Sequence, residues 1–230
     1  MPETAPNAEL MRSLGCLVRG LSALFWGLPA ALVICFHTAR AEPLRSLGIW
    51  PSIACTSLLV YGLWQLGAFQ RQERVWRNTL DGARLLSLVN LGLSPFLYWW
   101  NKAPANTFFY AMVLLMVLSA LLFLGSLNLA LKRLGAMLPD EALRLETRQF
   151  TALNLNLLGA TFLLGATYFV LGRLPNLPLY LQAVMVVLDR GSPWFLILLV
   201  LLPLAMTMAL IWKTKEVILE SVFAAKPHVP

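Results

Sequence analysis

Six apolar stretches, each about as long as a membrane-crossing helix, follow one another along the 230-residue chain. A helix rises about 1.5 Å per residue, so about 20 apolar residues cross a hydrocarbon layer about 30 Å thick. The polar segments between the stretches are too short to fold as separate soluble domains. The sequence therefore predicts an all-α integral membrane protein, a bundle of six transmembrane helices. The predicted spans cover about residues 20–38, 47–69, 84–100, 107–131, 151–172 and 194–212.

Composition supports this class of protein. Hydrophobic residues make up 59% of the chain and charged residues 13%, and the mean hydropathy is +0.71. A soluble domain carries roughly a quarter charged residues. The net charge of +7 does not require a nucleic acid partner, because basic loops beside the anionic lipid headgroups of a bilayer account for it.

The basic residues predict an orientation. Cytoplasmic loops of membrane proteins carry an excess of Lys and Arg, and six spans place thirteen of the 18 basic residues on the side of the N-terminus. We therefore expect a bacterial inner-membrane protein with both termini in the cytoplasm. Residues 1–19 form the N-terminal segment, 20–212 the transmembrane domain and 213–230 the C-terminal tail. The five basic residues expected outside are Arg40, Arg45, Lys102, Arg173 and Arg190.

A short apolar stretch separates the fifth and sixth predicted spans. It is too short to cross a bilayer, and stretches of about 10–14 apolar residues are typical of interfacial or re-entrant segments. We expect a short helix over 178–188 that lies on the outer leaflet, with a re-entrant helix as the alternative, and a turn directly after it. The residues that define this segment are Tyr180, Val186, Asp189 and Arg190.

Four asparagines lie within or near the spans: Asn90, Asn128, Asn154 and Asn156. Asparagines in membrane helices hydrogen-bond across helices. Two of them belong to similar octapeptides, "RLLSLVNL" (84–91) and "RQFTALNL" (148–155), which share Arg, a hydroxyl residue, Asn and Leu at equal spacing. The similarity indicates a duplicated helical hairpin, and coincidence in a strongly apolar sequence is the alternative.

Small residues recur at helical spacing in two spans. Ala23, Gly27 and Ala31 follow one another every four residues, and Thr161 and Gly165 do the same in the fifth span. Such stripes let another helix approach closely. We interpret them as packing within the bundle, and an oligomer interface is the alternative.

No pattern of catalytic or metal-binding residues is present. All eleven acidic residues fall in predicted tails, loops or helix ends, whereas an intramembrane carboxylate is the usual mark of proton or cation coupling. Three cysteines and two histidines do not form a recognisable haem or zinc motif. We therefore expect no cofactor and no metal, and the sequence favours a protein that is not an enzyme.

Two connections on the cytoplasmic side, 70–83 and 132–150, are predicted to be helical. Glu73 and Arg77 are four residues apart and can form an ion pair on one helix face. These connections are candidate docking surfaces for a soluble protein partner, and a solvated charge belt is the alternative.

This layout resembles, in topology alone, the permeases of ABC transporters that export polysaccharides and drugs. The resemblance implies that the connection after the second span contacts an ATPase. The sequence thus favours a permease-like or scaffold subunit that handles a hydrophobic or lipidic substrate with a partner. A membrane-embedded lipid-modifying enzyme and a homo-oligomeric channel are the alternatives.

Overall fold

A computed structural model describes residues 5–40, 47–69, 73–138, 141–172 and 178–224, and for 5–10, 142–143, 179–185, 187–198 and 221–224 it gives the backbone only. These residues form seven α-helices and no β-strand. By length and composition, three stretches are able to cross a membrane: Met11–Arg40, Thr107–Met137 and Arg144–Leu171. The helices are α1 Ala5–Arg40, α2 Trp50–Leu66, α3 Arg74–Leu93, α4 Pro95–Lys102, α5 Thr107–Met137, α6 Glu141–Leu171 and α7 Leu179–Ala224. The prediction of an all-α membrane protein is confirmed.

Two glycines bring α1 and α2 together in an antiparallel pair. A Cβ atom at Gly20 would lie 2.7 Å from the carbonyl oxygen of Gly62, and one at Gly62 would lie 3.1 Å from the carbonyl oxygen of Gly20. The two backbones therefore touch at a crossing that admits no side chain. Leu24 and Leu63 pack beside the crossing, and neither is exposed. Close approach of backbones at small residues is a common way for membrane helices to associate.

Helices α3 and α4 form one rod that is interrupted at Ser94 and Pro95. Pro95 has no N–H, so the carbonyl of Leu91 loses its helical partner. The hydroxyl of Ser94 donates to that carbonyl at 2.9 Å, and Ser52 of α2 donates to the carbonyl of Ser94 at 3.3 Å. The predicted third span, 84–100, lies inside this rod, which begins ten residues earlier at Arg74.

The last three helices pack side by side, with α7 antiparallel to α6. An ion pair between Glu146 and Lys213 joins them near one end, and Asn154 contacts Thr207 further along. Helix α7 also reaches α1, where the rings of Phe25 and Trp212 are 5.6 Å apart.

One end of the bundle is rich in positive charge. The N-terminal part of α1, the C-terminal ends of α2 and α5, the N-terminal ends of α3 and α6, and the C-terminal half of α7 all lie there. We call it the basic end. It carries Arg19, Arg84, Lys132, Arg148 and Lys213.

The structure differs from the sequence prediction between 178 and 194. It contains one continuous helix, α7, where a separate short helix and a turn after residue 188 were expected. Gly191 and Pro193 stay within that helix. A physical reason is that a break leaves backbone groups unpaired, which costs more in an apolar environment than one Gly or Pro inside a helix. The helices also extend into both predicted tails, because α1 begins at Ala5 and α7 ends at Ala224.

The outer faces of the bundle are apolar. Only 17% of the apolar stretch of α5 and of α6 is buried within the chain, and Leu163 is 66% exposed. Such a large exposed apolar surface is typical of a protein surrounded by lipid. The core is built mainly from leucines of α1, α2, α5 and α7, with Trp76 of α3 as its largest side chain.

Candidate functional site: a buried polar network between α5, α6 and α7

Three helices contribute to a fully buried hydrogen-bond network at the middle of the bundle. Asn154 of α6 donates to the side-chain carbonyl of Asn128 at 3.0 Å, to the hydroxyl of Thr207 at 2.9 Å and to the carbonyl of Pro203 at 3.1 Å. An amide NH₂ has two hydrogens, so these three acceptors share them. Asn128, Asn154 and Thr207 have no exposed surface.

Asn128 and Thr207 complete the network. The amide of Asn128 donates to Thr207 at 2.9 Å and to the carbonyl of Leu124 in its own helix at 2.8 Å. The hydroxyl of Thr207 donates to the carbonyl of Pro203 at 2.8 Å. Thr151, 1% exposed, donates to the backbone carbonyl of Asn128 at 3.5 Å. These contacts determine the orientation of the Asn154 amide. A flip of the amide by 180° would place its oxygen, which only accepts hydrogen bonds, against the side-chain oxygen of Asn128 and the carbonyl of Pro203.

The network lies beside Pro203, where α7 lacks one backbone hydrogen bond. Pro203 has no N–H, so the carbonyl of Leu199 has no partner within the helix. Thr161 of α6 donates to that carbonyl at 3.4 Å while also donating to Leu157 at 2.8 Å. The carbonyls of Leu199 and Leu157 therefore share the single hydroxyl hydrogen of Thr161, and the contact to Leu199 is the longer of the two.

Two buried acceptors have no hydrogen-bond partner among the described residues: the side-chain oxygens of Asn90 and Asn154. Both side chains are almost completely buried, at 5% and 0% exposed. They also occupy matching positions in the two octapeptides, 84–91 and 148–155. A buried amide oxygen without a donor costs about 1–3 kcal/mol, so each position has an unused capacity to accept a hydrogen bond.

The other predicted site residues lie apart from the network. Asn156 is exposed on α6. Gly27 is buried against α2, where a Cβ atom would lie 2.9 Å from Leu59, whereas a Cβ atom at Gly165 would meet no described atom within 4 Å. Val186 is 55% exposed. The side chains of Tyr180, Asp189 and Arg190 lie outside the described residues.

The basic end holds a second polar arrangement, which centres on Arg84. Its guanidinium donates to the carbonyls of Leu63 and Trp64 at 3.3 and 3.4 Å, near the C-terminus of α2. It also pairs with Asp81 at 3.1 Å and lies 5.4 Å above the ring of Trp64. A cation at the C-terminus of a helix is favourable because the helix dipole is negative there.

Thr207 was not singled out from the sequence. The available signal was the spacing of Thr207 four residues after Pro203, which lets the hydroxyl bond to the proline carbonyl. Residues 141–172 and the other described ranges do not contain a group of three or more His, Cys, Asp or Glu side chains that could hold a metal ion.

No family model, no curated protein and no solved structure matches the chain. The resemblance to exporter permeases therefore rests on the topology predicted from the sequence alone.

Proposed function

We propose that the protein is a transport subunit whose network between α5, α6 and α7 binds the polar group of a hydrophobic or lipidic substrate. The observation that carries this proposal is the unpaired oxygen of Asn154, which lies in a site made of two asparagines, a threonine and a proline carbonyl. Small-molecule sites are mostly apolar, with a few converging polar groups that fix the orientation of the ligand. This site has that composition.

Access to the site requires a movement of α7 relative to α6, because the network is closed to solvent and lipid in this structure. Pro203 is where such a movement costs least, since the helical hydrogen bond to Leu199 is already absent there. Energy for directional transport would come from a partner, with the connection between α2 and α3 as the candidate contact. No acidic residue lies in the network to couple it to protons.

The proposed topology has six spans with both termini in the cytoplasm of a bacterial inner membrane. Helix α2 has 17 residues and is about 26 Å long, and the rod of α3 and α4 is about 43 Å long, at about 1.5 Å per residue. Both lengths are close to, or above, the hydrocarbon thickness of about 30 Å. The basic end would face the cytoplasm, in line with the excess of Lys and Arg on inner loops.

The test is to identify what the purified protein retains. The wild-type protein and the variants Asn154→Val and Asn156→Val would be purified in mild detergent, and their bound organic molecules extracted and identified by mass spectrometry. We expect the wild type and Asn156→Val to retain a hydrophobic molecule that bears a hydrogen-bond donor, and Asn154→Val to lose it. Asn156 is the matched control, because it is the same residue type on the same helix but exposed. Retention that does not depend on Asn154, or retained lipids that merely mirror the membrane, would exclude the proposal.

A homo-oligomeric channel is the second candidate, and the position of Asn156 is the observation that favours it. An amide on a lipid-facing helix surface lacks a hydrogen-bond donor from lipid tails, so a second copy of the chain would stabilise it. Chemical cross-linking in membranes tests this reading. Wild-type protein should give dimers or larger species that Asn156→Leu reduces, and monomers alone would exclude it.

A further inference from the structure

We infer that a cavity at the basic end, between Arg77 and Arg84 of α3, binds a phosphate group. The cavity has a volume of about 160 Å³ and is lined by Gly67, Phe69, Trp76, Arg77, Leu80 and Arg84. It lies where α2 ends and α3 begins, and it shares no residue with the network around Asn154.

The cavity has an apolar floor and a positive rim. Phe69, Trp76 and Leu80 are 6%, 1% and 1% exposed, and the indole N–H of Trp76 donates to the carbonyl of Phe69 at 3.2 Å. This bond closes the wall of the cavity and leaves no free donor on the indole. The positive charge therefore comes from the two arginines, which are seven residues apart and lie on the same face of α3.

The two guanidinium groups differ in how they are held. Arg84 is fixed by the carbonyls of Leu63 and Trp64 and by Asp81, and its side chain is 23% exposed. A Cβ atom at Gly67 would collide with this guanidinium, so a side chain at position 67 would displace Arg84 from its present position. The guanidinium of Arg84 is thus already held in position beside the cavity before an anion binds.

Arg77 is the second cation of the proposed site, and its guanidinium is unpaired within the part of the chain that the structure describes. The sequence predicts an ion pair between Arg77 and Glu73, but the structure does not form one, and the Arg77 guanidinium has no hydrogen-bond or ion-pair partner within residues 73–138 or the other described ranges. Glu73 instead lies just before α3, in an extended conformation. An exposed guanidinium beside a cavity that already holds a second one favours a multivalent oxyanion. Phosphate fits because a guanidinium group can bind two of its oxygens at once, and its other oxygens stay available to a second guanidinium.

The first turn of α3 adds to the positive field. Residues 74–76 open the helix, and their N–H groups have no acceptor within it. The dipole of α3 places partial positive charge at this end. In the proposed topology the cavity lies at the level of the inner headgroups, where its apolar floor and positive rim suit a phospholipid with an anionic headgroup. Free inorganic phosphate offers the same chemistry.

The experiment compares Arg77→Gln with Arg74→Gln in the full-length protein. Arg74 is the matched control because it is exposed in the same turn of α3 but does not line the cavity. Each variant would be titrated with phosphatidylglycerol and with phosphatidylcholine in detergent, and bound lipid counted by native mass spectrometry. We expect Arg77→Gln to weaken binding of phosphatidylglycerol about tenfold, or about 1.4 kcal/mol, and Arg74→Gln to leave it nearly unchanged.

Competition identifies the source of the phosphate group. If the site accepts the free ion, inorganic phosphate at millimolar concentration should displace phosphatidylglycerol from the wild type. If the site requires the lipid, phosphatidylglycerol should stay bound. Either result supports a phosphate site, provided that binding of phosphatidylglycerol depends on Arg77. Equal losses in both arginine variants would show a diffuse charge effect, and no loss in Arg77→Gln would show that the cavity is not the site. Both outcomes overturn the inference. Neither depends on Asn154, so the inference and the proposed transport function can fail separately.

Discussion

The side-chain amide of Asn154 and the hydroxyl of Thr207 are 2.9 Å apart, although 53 residues separate them in the sequence. Both side chains are fully buried, and the bond joins α6 to α7 at the point where Pro203 interrupts the hydrogen bonds of α7. A hydrogen bond from α6 to this part of α7 stabilises the helix where a backbone hydrogen bond is missing. It also limits the movement of α7 relative to α6. The same contact therefore contributes to stability and, in the proposed function, to the site.

Replacement of Asn154 by Val should destabilise the protein, and replacement of Asn156 should not. Asn154→Val removes the donor to Asn128, Thr207 and Pro203 and leaves those acceptors buried without it. Hydrogen bonds between membrane helices contribute on average about 0.6 kcal/mol and at most about 1.7 kcal/mol each, so we expect a loss of about 1–2 kcal/mol.

The measurement is thermal or denaturant unfolding in one detergent, with Asn156→Val as the control. Asn156 is exposed, so its replacement leaves the network intact. Equal stability of the two variants would contradict the assignment of Asn154 to a stabilising network.

Thr161 and Pro203 should be energetically coupled. Thr161 donates to the carbonyl of Leu199, which lacks a helical partner because residue 203 is proline. Pro203→Ala restores an N–H to that carbonyl, so the loss of the Thr161 hydroxyl should then matter less.

A double-mutant cycle measures this coupling. Thr161→Val should cost about 0.5–1 kcal/mol in the wild type and less in the Pro203→Ala background. Additive effects of the two substitutions would show that Thr161 does not compensate for the backbone hydrogen bond that Pro203 removes.

The sequence predicted the class of fold because hydrophobic length is a property of each segment alone. The recurrence of apolar stretches and the scarcity of charge predicted the long helices, and three of them satisfy length and composition in the structure. The orientation depends on the asymmetry of positive charge between the two sides. Both the orientation and the count of six spans stay predictions.

The pairing of polar residues could be predicted only in part. Asn128 and Asn154 are conspicuous in an apolar sequence, but which helices meet is decided by packing between distant segments, so Thr207 was not associated with them. The same limit applies to Arg77, for which local spacing predicts a pair with Glu73 that the structure does not form. In α7, Asp189, Arg190 and Gly191 predicted a turn, and the helical backbone continued through them.

The crossing of α1 and α2 should not tolerate a methyl group. A Cβ atom at Gly20 would lie 2.7 Å from the carbonyl oxygen of Gly62, and backbone cannot move aside cheaply. Overpacking of this kind costs about 1–3 kcal/mol, so Gly20→Ala should lower stability by that amount.

Gly165→Ala is the control for the crossing. No described atom lies within 4 Å of a Cβ atom at Gly165, and alanine favours a helix over glycine by up to about 1 kcal/mol. This variant should be as stable as the wild type or slightly more so. Equal tolerance of the two substitutions in an unfolding assay would show that the helices do not cross so closely.

Reporter fusions should read alternating compartments along the chain. Fusions after residues 45, 103 and 190 should report the outside, and fusions after 78, 140 and 226 the cytoplasm. The reason is the concentration of Lys and Arg at the basic end, which favours its retention in the cytoplasm. A phosphatase reporter for the outside and a fluorescent protein for the cytoplasm make the measurement, and one reversed connection would contradict the six-span topology.

Val186 should be accessible to water from the outside, whereas Leu201 should not. At about 1.5 Å per residue, Pro203 lies about 15 Å from Lys213 along α7, near the middle of the hydrocarbon layer, and Val186 lies about 40 Å from Lys213, beyond the layer of about 30 Å. Val186 and Leu201 are both exposed in the isolated chain, at 55% and 46%, so burial by protein does not separate them.

A membrane-impermeant maleimide measures the difference in whole cells. The background is a variant in which Cys16, Cys35 and Cys55 are replaced by Ala, and each test protein carries one new cysteine, Val186→Cys or Leu201→Cys. We expect rapid labelling of the first and almost none of the second, because lipid tails exclude the reagent. Labelling of both would show that α7 lies outside the bilayer or lines a water-filled path. Protection of both would place residue 186 within the hydrocarbon, as expected if α7 tilts strongly or if its N-terminal part bends back into the membrane.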